Sequence, residues 1–475
     1  MTFGKNRIQY KDFFWQYYRY PLFDVYFHEG GKELALHVCK KAEEYIAEIE
    51  SKVGFNYDRR ILFVVYANHT DYKQSNIGET WTNEHYNIGG ITKIVDNKLI
   101  IYYEGDHTKL DAQIKNGIAQ ILISEMLLSN GSFRDIITGT AYSGYPLWYV
   151  DGLTAYLAGQ WDAKQMDYLN EIIYSQKFKT FHNTEPFNQT VLGYAFWLYV
   201  TEKHGTDAIQ NILFISSMTK NWVRGFQYVL GMSPRECATD FVLFYKEKFT
   251  NDTTPQHYTG KLKKNGIATN VKISPQGTHL CYVHNNKGKY KLWLVNLETG
   301  KKRLLLKREH KLERTTDFSH PIVAWHPSGK LVSVIFEEKN DIWLHSYPID
   351  ENEEHLSRKM LYFQKILHFN YSPNGLQLVL SAVKNGQTDI YIHDLVSRTN
   401  KQITNDLADD LFPIYSTDGT AVLFCSNRVS DSLTATEIQP HFDIFSYSIY
   451  SQTQFLKRLT STKYDTEIQP IVSAA

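Results

Sequence analysis

The chain has 475 residues, more than one ordinary hydrophobic core uses, so two or more domains are expected. Its 51 basic and 51 acidic residues cancel, which removes the electrostatic argument for nucleic acid or an anionic membrane surface as a partner. No run approaches the roughly 20 apolar residues of a membrane helix, and Cys39, Cys237, Cys281 and Cys425 lie too far apart for a zinc or redox pair, so they read as small buried thiols.

The opening, Met1-Thr-Phe-Gly-Lys-Asn-Arg-Ile-Gln-Tyr10, has neither the apolar stretch nor the cleavage site of a signal peptide, and the chain reads as a mature form or an excised segment. Phe23-Asp-Val-Tyr-Phe27, Ile61-Leu-Phe-Val-Val-Tyr66 and Leu99-Ile-Ile-Tyr-Tyr103 have strand character. Between the first two, Leu34, Val38, Ala42, Tyr45, Ile46 and Ile49 recur at helical spacing, and Gly54 supplies a stop. A second helix is predicted from His107 to Leu128, with Ile114, Ile118, Ile121, Leu122 and Glu125 on one face. A carboxylate on an apolar face needs partners, and the helix carrying Asp151 is the expected source.

Further helices follow: Val191 to Val200 is strongly apolar and ends at Lys203-His204-Gly205, while Thr206-Asp207 can cap the next. Ser233-Pro-Arg-Glu236 reads as a capping box. The polar, Pro-containing stretch after Phe249 is the expected linker, 251–262, dividing a first domain, 1–250, from 263–475.

The second half repeats. Ser274-Pro-Gln-Gly277, His326-Pro-Ser-Gly329, Ser372-Pro-Asn-Gly375 and Ser416-Thr-Asp-Gly419 are versions of one turn, with glycines 52, 46 and 44 residues apart. Each precedes an apolar strand and then Leu292-Trp-Leu294, Asp341-Ile-Trp343, Asp389-Ile-Tyr391 or Asp443-Ile-Phe445. A turn such as Leu297-Glu-Thr-Gly300 and one more strand complete a four-stranded unit, the period of a β-propeller blade. Gln469-Pro-Ile-Val-Ser473 aligns with Phe412-Pro-Ile-Tyr-Ser416, so further blades are expected beyond this sequence. His326, which stands where other turns have Ser, is either a ligand contact or turn variation.

These units resemble TolB-like (WD40-like) propeller repeats. The first 250 residues resemble the gluzincin-like peptidase MA domain, through Gly117-Ile-Ala-Gln120 and Trp148-Tyr-Val-Asp-Gly-Leu-Thr-Ala-Tyr156. The combination is similar to a group of large envelope proteins of Bacteroidota-type bacteria, on Phe3-Gly-Lys-Asn6, Gln74-Ser-Asn-Ile77 and the same motifs. The resemblance implies an α+β zincin-like domain of small sheet plus helices, then an all-β propeller of about four visible blades, in an extracytoplasmic setting.

In zincins two His at i and i+4 bind zinc and the Glu after the first is the general base. The resemblance places Ser124 and Leu128 at those ligand positions, Glu125 at the base and Asp151 at the third ligand. Leu cannot donate to a metal and neutral Ser is a poor zinc ligand, while His182 and His204 read as ordinary surface or helix-end residues. The expectation is therefore a pseudopeptidase without metal or cofactor. Glu125, Asp151 and Tyr156 are its candidate cleft residues, and the propeller its platform for an envelope protein, peptide or glycan. The alternative is a zinc metallopeptidase with non-standard ligands.

Overall fold

A computed structural model describes residues 12–68, 71–72, 93–95, 97–128, 144–159, 161, 163–174, 178, 181, 186–249, 266–286, 288–308, 319–338, 341–450, 456–462 and 465–472. The expected linker and His182 lie outside the described residues.

Five strands, β1 (Gln16–Arg19), β2 (Phe23–Phe27), β3 (Ile61–Tyr66), β4 (Lys93–Val95) and β5 (Lys98–Tyr102), form one sheet in the order β1-β2-β3-β5-β4. Its centre, β2, β3 and β5, is parallel, and both edge strands are antiparallel to their neighbours. The sequence marks the three central strands because they are apolar runs; the edge strands carry a weaker pattern. Helix α1 (Lys32–Val53) crosses from β2 to β3, burying Leu34, Val38, Ala42, Tyr45, Ile46 and Ile49, and Gly54 closes it in the left-handed conformation. Helix α2 (His107–Leu128) packs against α1 and the sheet with Ile114, Ile118, Ile121 and Leu122 fully enclosed.

Six further helices follow among the described residues: α3 (Leu147–Ala158), α4 (Ala163–Tyr174), α5 (Pro186–His204), α6 (Asp207–Thr219), α7 (Trp222–Leu230) and α8 (Pro234–Phe249). Thr206 precedes α6, but its side chain makes no cap bond. The capping box of α8 is closed in both directions: Ser233 N donates to Glu236 Oε2 at 2.7 Å, and Glu236 N to Ser233 Oγ at 3.4 Å.

Residues 267–458 fold as four successive four-stranded antiparallel meanders, a β-propeller architecture. Blade one is β6 (Ile267–Ile273), β7 (His279–Asn286), β8 (Lys289–Asn296) and β9 (Lys302–Arg308). Blade two is β10 (Ile322–Trp325), β11 (Leu331–Glu338), β12 (Asp341–Pro348) and β13 (Leu356–Lys359). Blade three is β14 (Lys365–Tyr371), β15 (Gln377–Lys384), β16 (Gln387–Asp394) and β17 (Asn400–Gln402). Blade four is β18 (Asp410–Tyr415), β19 (Ala421–Arg428), β20 (Ile438–Ser448) and β21 (Leu456–Arg458). The repeated turn joins the first two strands of every blade, and the second motif lies on the third strand.

His326 belongs to this repeat geometry: its Nδ1 sits 2.7 Å from Ser328 Oγ and its ring 4.9 Å from that of Tyr371 in the next blade. In blades one and four the first strand shares a twist, because Asn270 and Phe412, each four residues before the turn's first position, have φ of 50° and 52°, and Gln469 has φ of 60°. The alignment of 469–473 with 412–416 is thus matched by backbone conformation at Gln469. All four cysteines are buried and free.

Candidate functional site

Helix α2 carries Ser124 and Glu125 as expected, but their surroundings differ from those expected. Ser124 is buried. Glu125 is largely enclosed and pairs with Arg59, Nη2 to Oε1 3.1 Å, from the segment entering β3. Its partner is therefore not the helix carrying Asp151, because the guanidinium arriving from the sheet supplies the charge that a carboxylate on this face needs. The side chain of Leu128 lies outside the described residues.

Asp151 is half-buried on α3, and burial pushes its carboxyl up to about 6. The rest of its motif is packing. Trp148 stacks on Phe181 with ring centroids 4.4 Å apart and meets Trp222 edge-on. Gly152 faces Gly193 of α5, where a Cβ on Gly193 would fall 1.9 Å from the Trp148 carbonyl oxygen, so only glycine lets these helices cross so closely. Tyr156 donates to Thr201 Oγ1 at 3.2 Å and lines a cavity of about 300 Å³ beside Gln210 and Lys52, which neither Glu125 nor Asp151 lines. Glu125, Asp151 and Tyr156 are thus not gathered into that cavity. Among the described residues no group of three His, Cys, Asp or Glu side chains is placed to hold a metal ion. His204 is exposed at the end of α5.

The polar centre that sequence reading missed lies where the two halves meet. Asp409, just before β18, is fully buried. It accepts from Tyr103 Oη at 2.6 Å, from the His107 backbone N–H at 2.6 Å and from Asn427 Nδ2 at 3.0 Å, and it lies 2.7 Å from His107 Nδ1. Burial alone would lower the His107 pKa; the charge and hydrogen bond of Asp409, with Asp111 and Asp106 behind them, more than offset it, and the net shift is upward. Burial likewise opposes ionisation of Asp409, but His107 and Tyr103 outweigh it and the net shift is downward. Both directions describe an ion pair inside protein. Around it, Leu367 and Val383 of blade three pack into the core of the first domain.

Beside this seam two cavities share the wall Met360-Leu-Tyr-Phe363, which joins blade two to blade three. One, about 310 Å³, is lined by Asn68 and Asp71 of the first domain and by Glu337, Asp341 and Gln364 of the propeller. The other, about 620 Å³, lies between the outer strands of blades two and three, with Arg358, Lys359, Arg398 and His393 on its lining. Arg398 was also missed, though aligning Leu395-Val-Ser-Arg398 with Leu297-Glu-Thr-Gly300 would have marked it as an arginine at a glycine position.

Fold and seam together define a two-part protein, a mixed-sheet and helical domain docked on a β-propeller. No protein-family model matches the chain, and comparison with curated proteins finds no match. Among solved structures it is similar to TolB from Acinetobacter baumannii, at 16% identity over 42% of this chain and 45% of that one, TM-score 0.33. It is also similar to the β-propeller domain of the Trilobed protease from Pyrococcus furiosus, at 14% identity over 42% and 58% of the two chains, TM-score 0.29. A third is the Cps50 (Swd1) β-propeller domain of Myceliophteria thermophila, at 9% identity over 44% and 75%, TM-score 0.29. The match spans less than half the length of the Acinetobacter protein. The propeller assignment rests on the four meanders themselves. No described helix is long and apolar enough to cross a membrane.

Proposed function

We propose that this protein is a non-catalytic binding or scaffolding component of the bacterial cell envelope. Its first domain would keep a peptidase-like framework, and its ligand-binding surface would lie at the junction with the propeller. The observation that carries the reading is the pair of cavities, about 310 and 620 Å³, sharing the Met360–Phe363 wall beside the seam. Concave sites of this size with an apolar wall and a few polar groups are typical of ligand binding. The extracytoplasmic setting and the gluzincin ancestry rest on the resemblance of the motifs around Gly117 and Trp148. On this reading Glu125 has a structural partner in Arg59 and activates no water.

Metal analysis and peptidase assays on the purified full chain test this. The expected result is no stoichiometric zinc and no hydrolysis of a mixed peptide substrate. Bound zinc with hydrolysis, the hydrolysis lost and the zinc kept in Glu125→Gln, would establish the metallopeptidase instead.

A further inference from the structure

The two cavities at the Met360–Phe363 wall have opposite electrical character. The smaller is lined by Asp71, Glu337 and Asp341 with no Lys, Arg or His on its lining, and Gln364 there has a buried Oε1 without a hydrogen-bond partner. Asp71 accepts from Asn68 Nδ2 at 2.9 Å, Glu337 Oε1 lies 3.1 Å from His320 Nε2 and Asp341 pairs with Lys359 at 2.6 Å, so the open acceptor is Gln364 Oε1, which suits a donor side chain. The larger carries Arg358, Lys359 and Arg398 with no acid on its lining. Two of these cations are already engaged: Lys359 pairs with Asp341 at 2.6 Å, and Arg358 Nη1 donates to the Leu395 carbonyl at 2.6 Å across the blade boundary. Arg398 is exposed, and its guanidinium has no partner among the described residues.

The backbone of Arg398 is a separate observation. It occupies the turn after the third strand of blade three, where its N–H donates to the Asp394 carbonyl at 2.9 Å and φ is 60°. The matching turn of blade one has the same bond, Gly300 N–H to Asn296 carbonyl at 2.9 Å, with φ of 69°. Glycine adopts that conformation freely and arginine does not. Blade three therefore keeps a residue unfavourable for its own turn, and that residue's charge lines a cavity. Residues held in such conformations cluster at ligand-binding positions.

Between the two cavities stands an apolar crest, with Leu361 80% exposed and Tyr362 44% exposed beneath the Lys384 ammonium, 3.6 Å from its ring centroid. An acceptor on one side, cations on the other and an apolar crest between offer three successive contacts that an extended peptide can span. Resting on the binding role above, we infer that this groove takes an extended peptide, with a basic donor side chain toward Gln364 Oε1 and a carboxylate held by Arg398.

Fluorescence anisotropy on the full chain tests the inference. The probe is a set of labelled octapeptides, each with a lysine near the amino end, an apolar centre and a free carboxyl-terminal aspartate. Saturable binding is expected, weakening as salt rises and on replacing the terminal aspartate by an amidated alanine. Arg398→Gly should lower affinity at least tenfold while leaving Tm unchanged or higher, because glycine suits the turn. Binding that ignores Arg398→Gly would overturn the site while leaving a binding role intact. Absence of binding up to about 1 mM probe would overturn the peptide assignment, since such affinity is below a specific contact. Full displacement by millimolar inorganic phosphate would reduce the site to an anion pocket and overturn it as well. Zinc content and hydrolysis are read separately, so failure here and failure of the non-catalytic reading are distinguishable.

Discussion

Arg428 has no exposed surface and spans two carboxylates: its Nη2 donates to both oxygens of Asp410 at 2.9 Å, and its Nη1 to Asp406 Oδ2 at 3.1 Å. Ser426 Oγ and the Ser432 carbonyl accept its remaining donors, so the guanidinium is saturated. Removing it leaves buried acids uncompensated, and Arg428→Met should destabilise the propeller by about 3–5 kcal/mol in denaturant melts. Asp389 stands behind this group. Burial first, then Asp410 and Asp406, push its carboxyl up to about 8, so it is neutral at pH 7. A raised carboxyl destabilises the fold increasingly as pH climbs from the unfolded value toward the folded one, because only the unfolded chain ionises freely. Asp389→Asn keeps an acceptor oxygen for one of the two donors, Gln402 Nε2 or Thr404 Oγ1, and should raise Tm at pH 7 and above, with no gain near pH 4.

At the level of elements, α3 and α5 cross in close contact. Gly193→Ala should cost about 1–3 kcal/mol or more, measured by thermal or urea unfolding, since the obstacle is the Trp148 backbone carbonyl, which cannot step aside. This also explains which parts of the molecule were readable in advance. The blade turns were, because Ser-Pro-x-Gly chemistry is local and each copy repeats it. Helices α1 and α2 were, because their apolar spacing is regular over 22 residues each. The Trp148–Tyr156 motif stood out in the sequence, but its packing did not: Trp148 is a core aromatic and Gly152 a close-packing position against Gly193. The Arg59–Glu125 pair could not be foreseen, since its partners lie on different elements with no shared periodicity.

Across the whole molecule, the His107–Asp409 pair predicts how docking of the two halves responds to pH. The Asp409 contribution is complete above the ordinary aspartate value of 3.8 and is lost as pH falls through its lowered folded value. The His107 contribution is complete below 6.5 and is lost as pH rises through its raised folded value. Both act together between these limits, with His37 (ring centroid 4.7 Å from that of His107), Asp111, Asp106 and Tyr103 as titratable neighbours. Hydrogen exchange of the amides at 103–108, corrected for intrinsic rate, should be faster at about pH 9 than at about pH 6. In His107→Gln that difference should disappear.

The same pair has a consequence for synthesis. Asp106 serves the first turn of α2 from next door, its Oδ1 accepting from Thr108 N at 2.9 Å. The His107 amide is served by Asp409, 302 residues later in the chain. As the chain leaves the ribosome, the first half emerges with this amide lacking its acceptor, and with the imidazole and the Tyr103 hydroxyl left only each other. That vacancy lasts until the start of the fourth blade has been made. At about 5–20 residues per second the wait is on the order of 15–60 seconds, ample time for a holding chaperone to engage the exposed face.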